Sequence, residues 1–199
     1  MTSLFGKRVG KYLALAAMAA VIVAPIGASA ATASSSIEAT VSSVIAVTSS
    51  GTVALSVTPT GPGAESTAAS DTVTVNSNDA DGYNLTLSSA DGTATMAGFK
   101  DDGVTSNGAT LAVTTGSYAT PAALSANSWG WRVDSLGTFG AGGTATFAGM
   151  PVNSSPQNIR STTATATNEV TTVKYAVKVD TSKPNGVYKD TVTYTATAK

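Results

Sequence analysis

Thr72-Val73-Thr74-Val75-Asn76-Ser77-Asn78-Asp79-Ala80-Asp81-Gly82-Tyr83-Asn84-Leu85-Thr86-Leu87 decides the fold class. Two runs alternate polar and apolar residues, and a cluster of Asn, Asp and Gly separates them. Period two sends successive side chains to opposite faces of an extended chain, so each run reads as a half-buried strand. The polar cluster at 78–82 supplies turn residues, and the whole reads as a hairpin. The same alternation recurs in Val173-Lys174-Tyr175-Ala176-Val177-Lys178-Val179, with both lysines on one face and the valines and Tyr175 on the other. Thr191-Val192-Thr193-Tyr194-Thr195 repeats it, and β-branched Thr and Val suit a pleated surface.

Outward from these runs, strands are predicted near 37–48, 52–58, 71–77, 82–88, 110–114, 129–134, 144–148, 171–180 and 187–197. Asp91-Gly92, Asp101-Asp102-Gly103, Asn107-Gly108, the glycine-rich 140–143 and Pro184-Asn185-Gly186 mark turns between them. The stretch 94–127 reads as an elaborated loop between strands, and 154–168 as a long loop or a crossover to a second sheet. No segment after residue 30 carries a helical apolar stripe. Short strands at regular spacing predict an all-β chain, an antiparallel, Ig-like β-sandwich, preceded by a signal-peptide helix.

That leader is read from the first thirty residues. Lys7, Arg8 and Lys11 form a basic start, 12–24 is apolar, and Ala28-Ser29-Ala30 supplies small residues for a signal peptidase. The apolar run falls short of the ~20 residues a membrane-spanning helix needs. The expectation is a signal peptide over 1–30, cleavage between Ala30 and Ala31, and a secreted, extracellular chain without membrane insertion after cleavage. Residues 31–199 are then one β-sandwich domain with an N-terminal strand or arm over 31–48. Within that arm Ile37, Ala39 and Val41 alternate, and the phase shifts at Ser42-Ser43 before Val44, as at a bulge.

Composition narrows the chemistry. The leader removes three of eleven basic residues, so eight face twelve acidic ones, a net charge of −4. No basic cluster remains to bind nucleic acid. The chain contains no Cys, so no disulfide supports it, and no His, the commonest general base and a common metal ligand. Serine-histidine and cysteine-histidine catalysis are excluded with it.

Three stretches, 71–88, Trp129-Gly130-Trp131-Arg132-Val133 and 185–195 with its Gly-x-Tyr and Val-Thr-Tyr elements, resemble secreted surface proteins of bacterial envelopes. Many of those are small β-sandwiches, some from reduced-genome candidate phyla. Their order is also similar to the WxL cell-wall-binding domains of Gram-positive bacteria. Where that family has Trp-x-Leu, this chain reads Trp129-Gly130-Trp131-Arg132. The resemblance implies a sandwich at the cell surface, and for WxL domains a non-covalent hold on peptidoglycan.

Two sets of residues are candidates for binding. Trp129 and Trp131, two apart in a strand, share a face and form either an aromatic platform for a sugar or a plug between sheets. Asp79 and Asp81, with Asn76 and Asn78, offer hard oxygens on alternate residues before Gly82, the chemistry of a calcium loop, or else an acidic, solubilising turn. No other cofactor is expected. The residues carry no Leu-Pro-x-Thr-Gly sortase signal and no Cys behind the leader, so non-covalent retention, release or self-assembly is expected.

Three function classes remain: a structural or interaction protein of the cell surface, self-associating as a layer or fibre or bound to an envelope polymer or surface protein; a peptidoglycan- or carbohydrate-binding module; and a glycan-active enzyme using paired carboxylates, which would need two acids roughly 5–10 Å apart in one cleft. The first, non-enzymatic class fits the low charged fraction, 12% of residues. Intact-mass measurement of secreted protein is expected to give a chain beginning at Ala31. A mass that includes 1–30 overturns the leader.

Overall fold

The structure is a computed structural model describing residues 31–134 and 145–199. The expected leader at 1–30, with Ala30, and the expected turn at 140–143 lie outside the described residues. Val41–Lys199 is one compact unit. The described part of the preceding unit, residues 31–40, contains no strand and is exposed.

Eleven strands and no helix occur among the described residues: β1 (Ile45–Thr48), β2 (Ala64–Glu65), β3 (Ala69–Ser77), β4 (Tyr83–Ser89), β5 (Met96–Phe99), β6 (Ser106–Val113), β7 (Ser128–Val133), β8 (Gln157–Ser161), β9 (Ala166–Val179), β10 (Val187–Lys189) and β11 (Val192–Ala198). The larger sheet runs β1-β3-β9-β7-β6-β5-β10, with β2 also on β9; the smaller runs β11-β4-β8. All pairs are antiparallel except β6 with β7. The two sheets enclose a core to which β3, β7 and β9 contribute Val73, Val75, Trp129, Trp131 and Val173, and β4 and β8 contribute Tyr83, Leu85, Leu87 and Ile159. The arrangement is all-β and sandwich-like.

The expected hairpin at 72–87 is an arch instead. β3 pairs with β1 and β9, whereas β4 pairs with β11 and β8. Period two cannot separate these outcomes, because a hairpin and an arch both send one parity of side chains inward. The turn is tight: Gly82 N–H donates to Asp79 O, and Gly82 sits at φ +89°. A Cβ there would meet Thr162 O at 2.4 Å, so glycine is required twice over.

Other expected strands shift. The run 37–48 forms a ladder only from Ile45. The run 52–58 forms none, yet Val53, Leu55 and Val57 pack on the core with period two. The 187–197 strand divides at Asp190 and Thr191, where the chain leaves the larger sheet for the smaller. Within 144–148, residue 144 lies outside the described residues, and Phe147 and Ala148 form only isolated bridges to Ala122 and Trp131. β5 and β8 fall inside the stretches read as loops, and β9 begins there too, at Ala166.

β7 is buried on both faces. Trp129 and Trp131, each 1% exposed, enter the core, while Gly130 faces a second cluster of Leu124, Phe147 and Ala176. A Cβ on Gly130 would meet Ala148 O at 2.7 Å and Phe147 Cβ and Thr114 Cγ2 at 2.9 Å. Each indole N–H is satisfied, Trp129 by Ala94 O at 3.1 Å and Trp131 by Gly149 O at 3.0 Å. Tyr118 stacks on Trp131 with centroids 5.7 Å apart. Trp131→Ala is therefore expected to cost about 3–5 kcal/mol, and Gly130→Ala about 1–3 kcal/mol by overpacking against backbone. Urea unfolding followed by the fluorescence of the remaining tryptophans measures both; a variant within about 0.5 kcal/mol of the parent contradicts this packing.

Candidate functional site

Trp129 and Trp131 form no exposed platform, because both rings are enclosed between the sheets. Trp129 instead contributes to the floor of a cleft of about 560 Å³. One wall is the ladderless segment at 49–55. The other is 187–192 with Tyr194, where the chain passes from β10 to β11. Met96 and Tyr175 complete the floor, and Asp71 and Asp190 are the carboxylates on the lining.

The polar groups of the cleft are engaged with one another. Asp71 begins the inward parity of β3, followed by Val73 and Val75, and is buried at 4% exposure. Its Oδ1 accepts from Ser50 N at 2.9 Å and from Ser50 Oγ at 2.5 Å, and Ser50 Oγ accepts from Thr72 N at 3.1 Å. The Tyr194 phenol lies 2.6 Å from the Tyr175 phenol and also interacts with Asp71. Burial raises the pKa of both tyrosines, and both stay neutral over the physiological range. A line Ser50–Asp71–Tyr194–Tyr175 thus joins the root of the ladderless segment to both sheets.

Asp190 stands apart from this line. Its Oδ1 accepts from Thr191 N at 2.7 Å and Ser89 Oγ at 3.2 Å, while its buried Oδ2 has no partner. Burial raises its carboxyl above the ordinary value; the Thr191 and Ser89 donors oppose this and the Asp91 charge adds to it.

The acidic turn is built by its own neighbours. Asp79 Oδ1 accepts from Asp81 N at 2.9 Å, and Oδ2 from Ser43 Oγ at 3.1 Å. Asn78 accepts from Val44 N at 2.7 Å and donates to Ser42 O at 2.9 Å. Asn76 accepts from Asn168 N, and Asp81 is exposed. The Asp79 carboxylate thus closes the turn and fixes residue 43, and no group of three or more His, Cys, Asp or Glu side chains that could hold a metal gathers among the described residues. Asp102 likewise caps its own turn through Val104 N and Thr105 N, both at 2.8 Å, and those donors with the Thr105 hydroxyl hold its carboxyl below the ordinary value.

Ala31 is exposed and outside any strand. Beyond it, Ile37, Val41 and Val44 are 95%, 82% and 64% exposed; they are three of the six large exposed hydrophobics of the described residues. Sequence reading missed Asp71, Tyr175, Tyr194 and Asp190 as a group. Parity carried the signal: Asp71 and Tyr194 occupy inward positions of otherwise apolar runs.

Comparison with protein-family models, curated proteins and solved structures gives no match.

Asp190 yields a signed pH dependence. The folded state holds its proton more tightly than the unfolded chain, so its contribution to stability is greatest below the unfolded pKa, about 3.9, and declines as pH rises through the folded value. Asp190→Asn is expected to unfold at higher urea than the parent at pH 7, with the gain vanishing near pH 3.5. A gain equal at both pH values, or none, contradicts burial as the cause.

Proposed function

We propose that the protein is a secreted, non-enzymatic structural or interaction subunit of the cell surface that associates with copies of itself. The observation that carries this is the arm behind residue 31, whose alternating Ile37, Ala39 and Val41 are exposed to solvent. Apolar surface concentrated in one segment marks an interaction site. The Asp71 carboxylate of the cleft supports the non-enzymatic reading, since it is held by Ser50 and Tyr194. A kinship with small envelope sandwiches and WxL domains, and an Ig-like classification of the sheets, belong to the same reading. They rest on the central Trp-Gly-Trp strand and the closing β11.

A second reading is a peptidoglycan- or carbohydrate-binding module. The cleft favours it, because Tyr188 and Tyr194 with Asp71 and Asp190 offer ring faces and polar atoms together. Light scattering of the chain from Ala31, over a range of concentrations, separates the two. Mass rising above the monomer with concentration, and recovery of native protein in a sedimentable fraction, are expected. A strict monomer that sediments only with added peptidoglycan transfers the assignment to the binding module; a strict monomer found only in the medium overturns both.

A further inference from the structure

The cleft between 49–55 and 187–192 carries acidic groups that the chain's own cations do not answer. Asp71 stands at an inward position of β3, 4% exposed, on the cleft lining. Ser50 and Tyr194 engage its carboxylate with neutral donors. Neutral donors complete hydrogen bonds, but a buried carboxylate is compensated most fully by a cation. The ion pairs among the described residues join Arg132 and Lys174 to Asp134 and Arg160 to Glu169, and none reaches Asp71 or Asp190. Lys189 is the basic residue of the lining, and its ammonium is committed elsewhere. It donates to Gly103 O at 2.8 Å and stands 5.4 Å from the centre of the Phe99 ring. Asp190, on the 187–192 wall, has a buried Oδ2 without a partner. Among the described residues, the cleft thus holds two carboxyl groups and no cation paired with either.

Beside these carboxyls the lining is apolar and aromatic. Val53 and Leu55 belong to one wall, Val192 to the other, and Tyr188 and Tyr194 add rings. Carboxylates and aromatic rings attract the same kind of charge, the first by its own charge and the second by the ring quadrupole. A volume of about 560 Å³ is that of a small-molecule site. A bare metal ion suits it poorly, because a hard cation needs oxygen ligands on all sides. A neutral sugar ring brings no charge to answer Asp71. An apolar stem ending in an ammonium group matches both halves of the lining. Its three N–H donors suit carboxylate acceptors, which a quaternary ammonium could not use. We propose that the cleft binds a primary alkylammonium, the chemistry shared by a lysine side chain and a free aliphatic amine. The charge lies towards Asp71 and Asp190 and the stem against Val53, Leu55 and Val192. This assignment goes beyond both readings of function, since it requires neither self-association nor a glycan.

The test titrates the chain from Ala31 with hexylammonium, followed by calorimetry and by tryptophan fluorescence, since Trp129 lies on the cleft floor. Hexanol keeps the stem without the charge, hexanoate reverses the charge, and an oligomer of N-acetylglucosamine probes the glycan reading. Hexylammonium is expected to bind about tenfold or more tightly than hexanol, and hexanoate not to bind. Asp71→Asn and Asp190→Asn are each expected to weaken the amine by about tenfold. Asp81→Asn, on the exposed turn, is expected to leave it unchanged. Leu55→Trp keeps both carboxyls, fills the cleft and is expected to abolish binding. Nα-acetyl-lysine amide distinguishes the sources: tighter binding than hexylammonium identifies a peptide-borne amine, weaker binding a free one. Equal binding of hexanol and hexylammonium overturns the proposal, as does no amine binding at millimolar concentration. Amine binding unchanged in a folded carboxyl variant or in Leu55→Trp overturns the site. Binding of the sugar oligomer without the amine overturns it in favour of the carbohydrate module. If Asp71→Asn fails to fold, Asp190→Asn and Leu55→Trp decide. Light scattering of the same samples reads self-association separately, so that reading stands or fails independently.

Discussion

Burial of β7 on both faces is the constraint on which the rest of the structure depends. A strand at the centre of an antiparallel sandwich usually buries one face and wets the other. Here the inward parity is Trp129, Trp131 and Val133, and the outward parity must lie under Phe147 and Leu124. Only glycine at 130 lets that cover approach, and Ala176 opposite it on β9 is small for the same reason. The indole N–H groups reach the carbonyls of Ala94 and Gly149, so the two largest side chains of the core also fix the chain before β5 and after Phe147. In a chain without disulfides this packing and its hydrogen bonds perform the stapling.

The two sheets are registered against each other by polar contacts that cross between them. Tyr83 on β4 donates to Glu169 on β9 at 3.0 Å, and Arg160 on β8 pairs with the same Glu169 and donates to Val170 O. Burial, with the Glu169 contact, pushes the Tyr83 phenol up to about 12. At the other end of the sandwich, Tyr194 on β11 meets Tyr175 on β9 and Asp71 on β3. Apolar packing alone tolerates sliding, whereas buried polar groups cost free energy unless their partners are in place. These two contacts therefore select one alignment of the smaller sheet over the larger.

Much of this was legible in the sequence, and the failures share a cause. Parity identified β3, β4, β7, β9 and β11, and the run 52–58, expected as a strand, buries residues with period two although no ladder forms there. It could not say which strands pair, because it reports a side chain's face and not a backbone's neighbour. The arch at 78–82 and the division at Asp190 both follow from that. β8 escaped because Ile159 is its one buried apolar residue, and β5 because four residues hold too few alternations. The tryptophans were readable as a shared face, but whether that face met solvent depended on a second sheet whose partner strands were unassigned. Asp79 and Asp81 showed the chemistry of a cation loop, and Ser43, distant in sequence, takes up one of the oxygens.

The placement of charge connects the fold to the function proposed for it. One charged cluster beside the core compensates itself: Asp134 lies between Arg132 and Lys174, which are register partners across β7 and β9 and would otherwise repel. Although burial opposes ionisation there, the two cations outweigh it and hold the Asp134 carboxyl below the ordinary value. Arg160 and Lys189 stand on strands that end a sheet, where a like charge on an approaching strand discourages pairing. β11 ends a sheet too, and it has only Thr, Val, Tyr and Ala. A chain with few charges thus places two of them on edge strands and leaves two sheet edges, β1 and β11, without any.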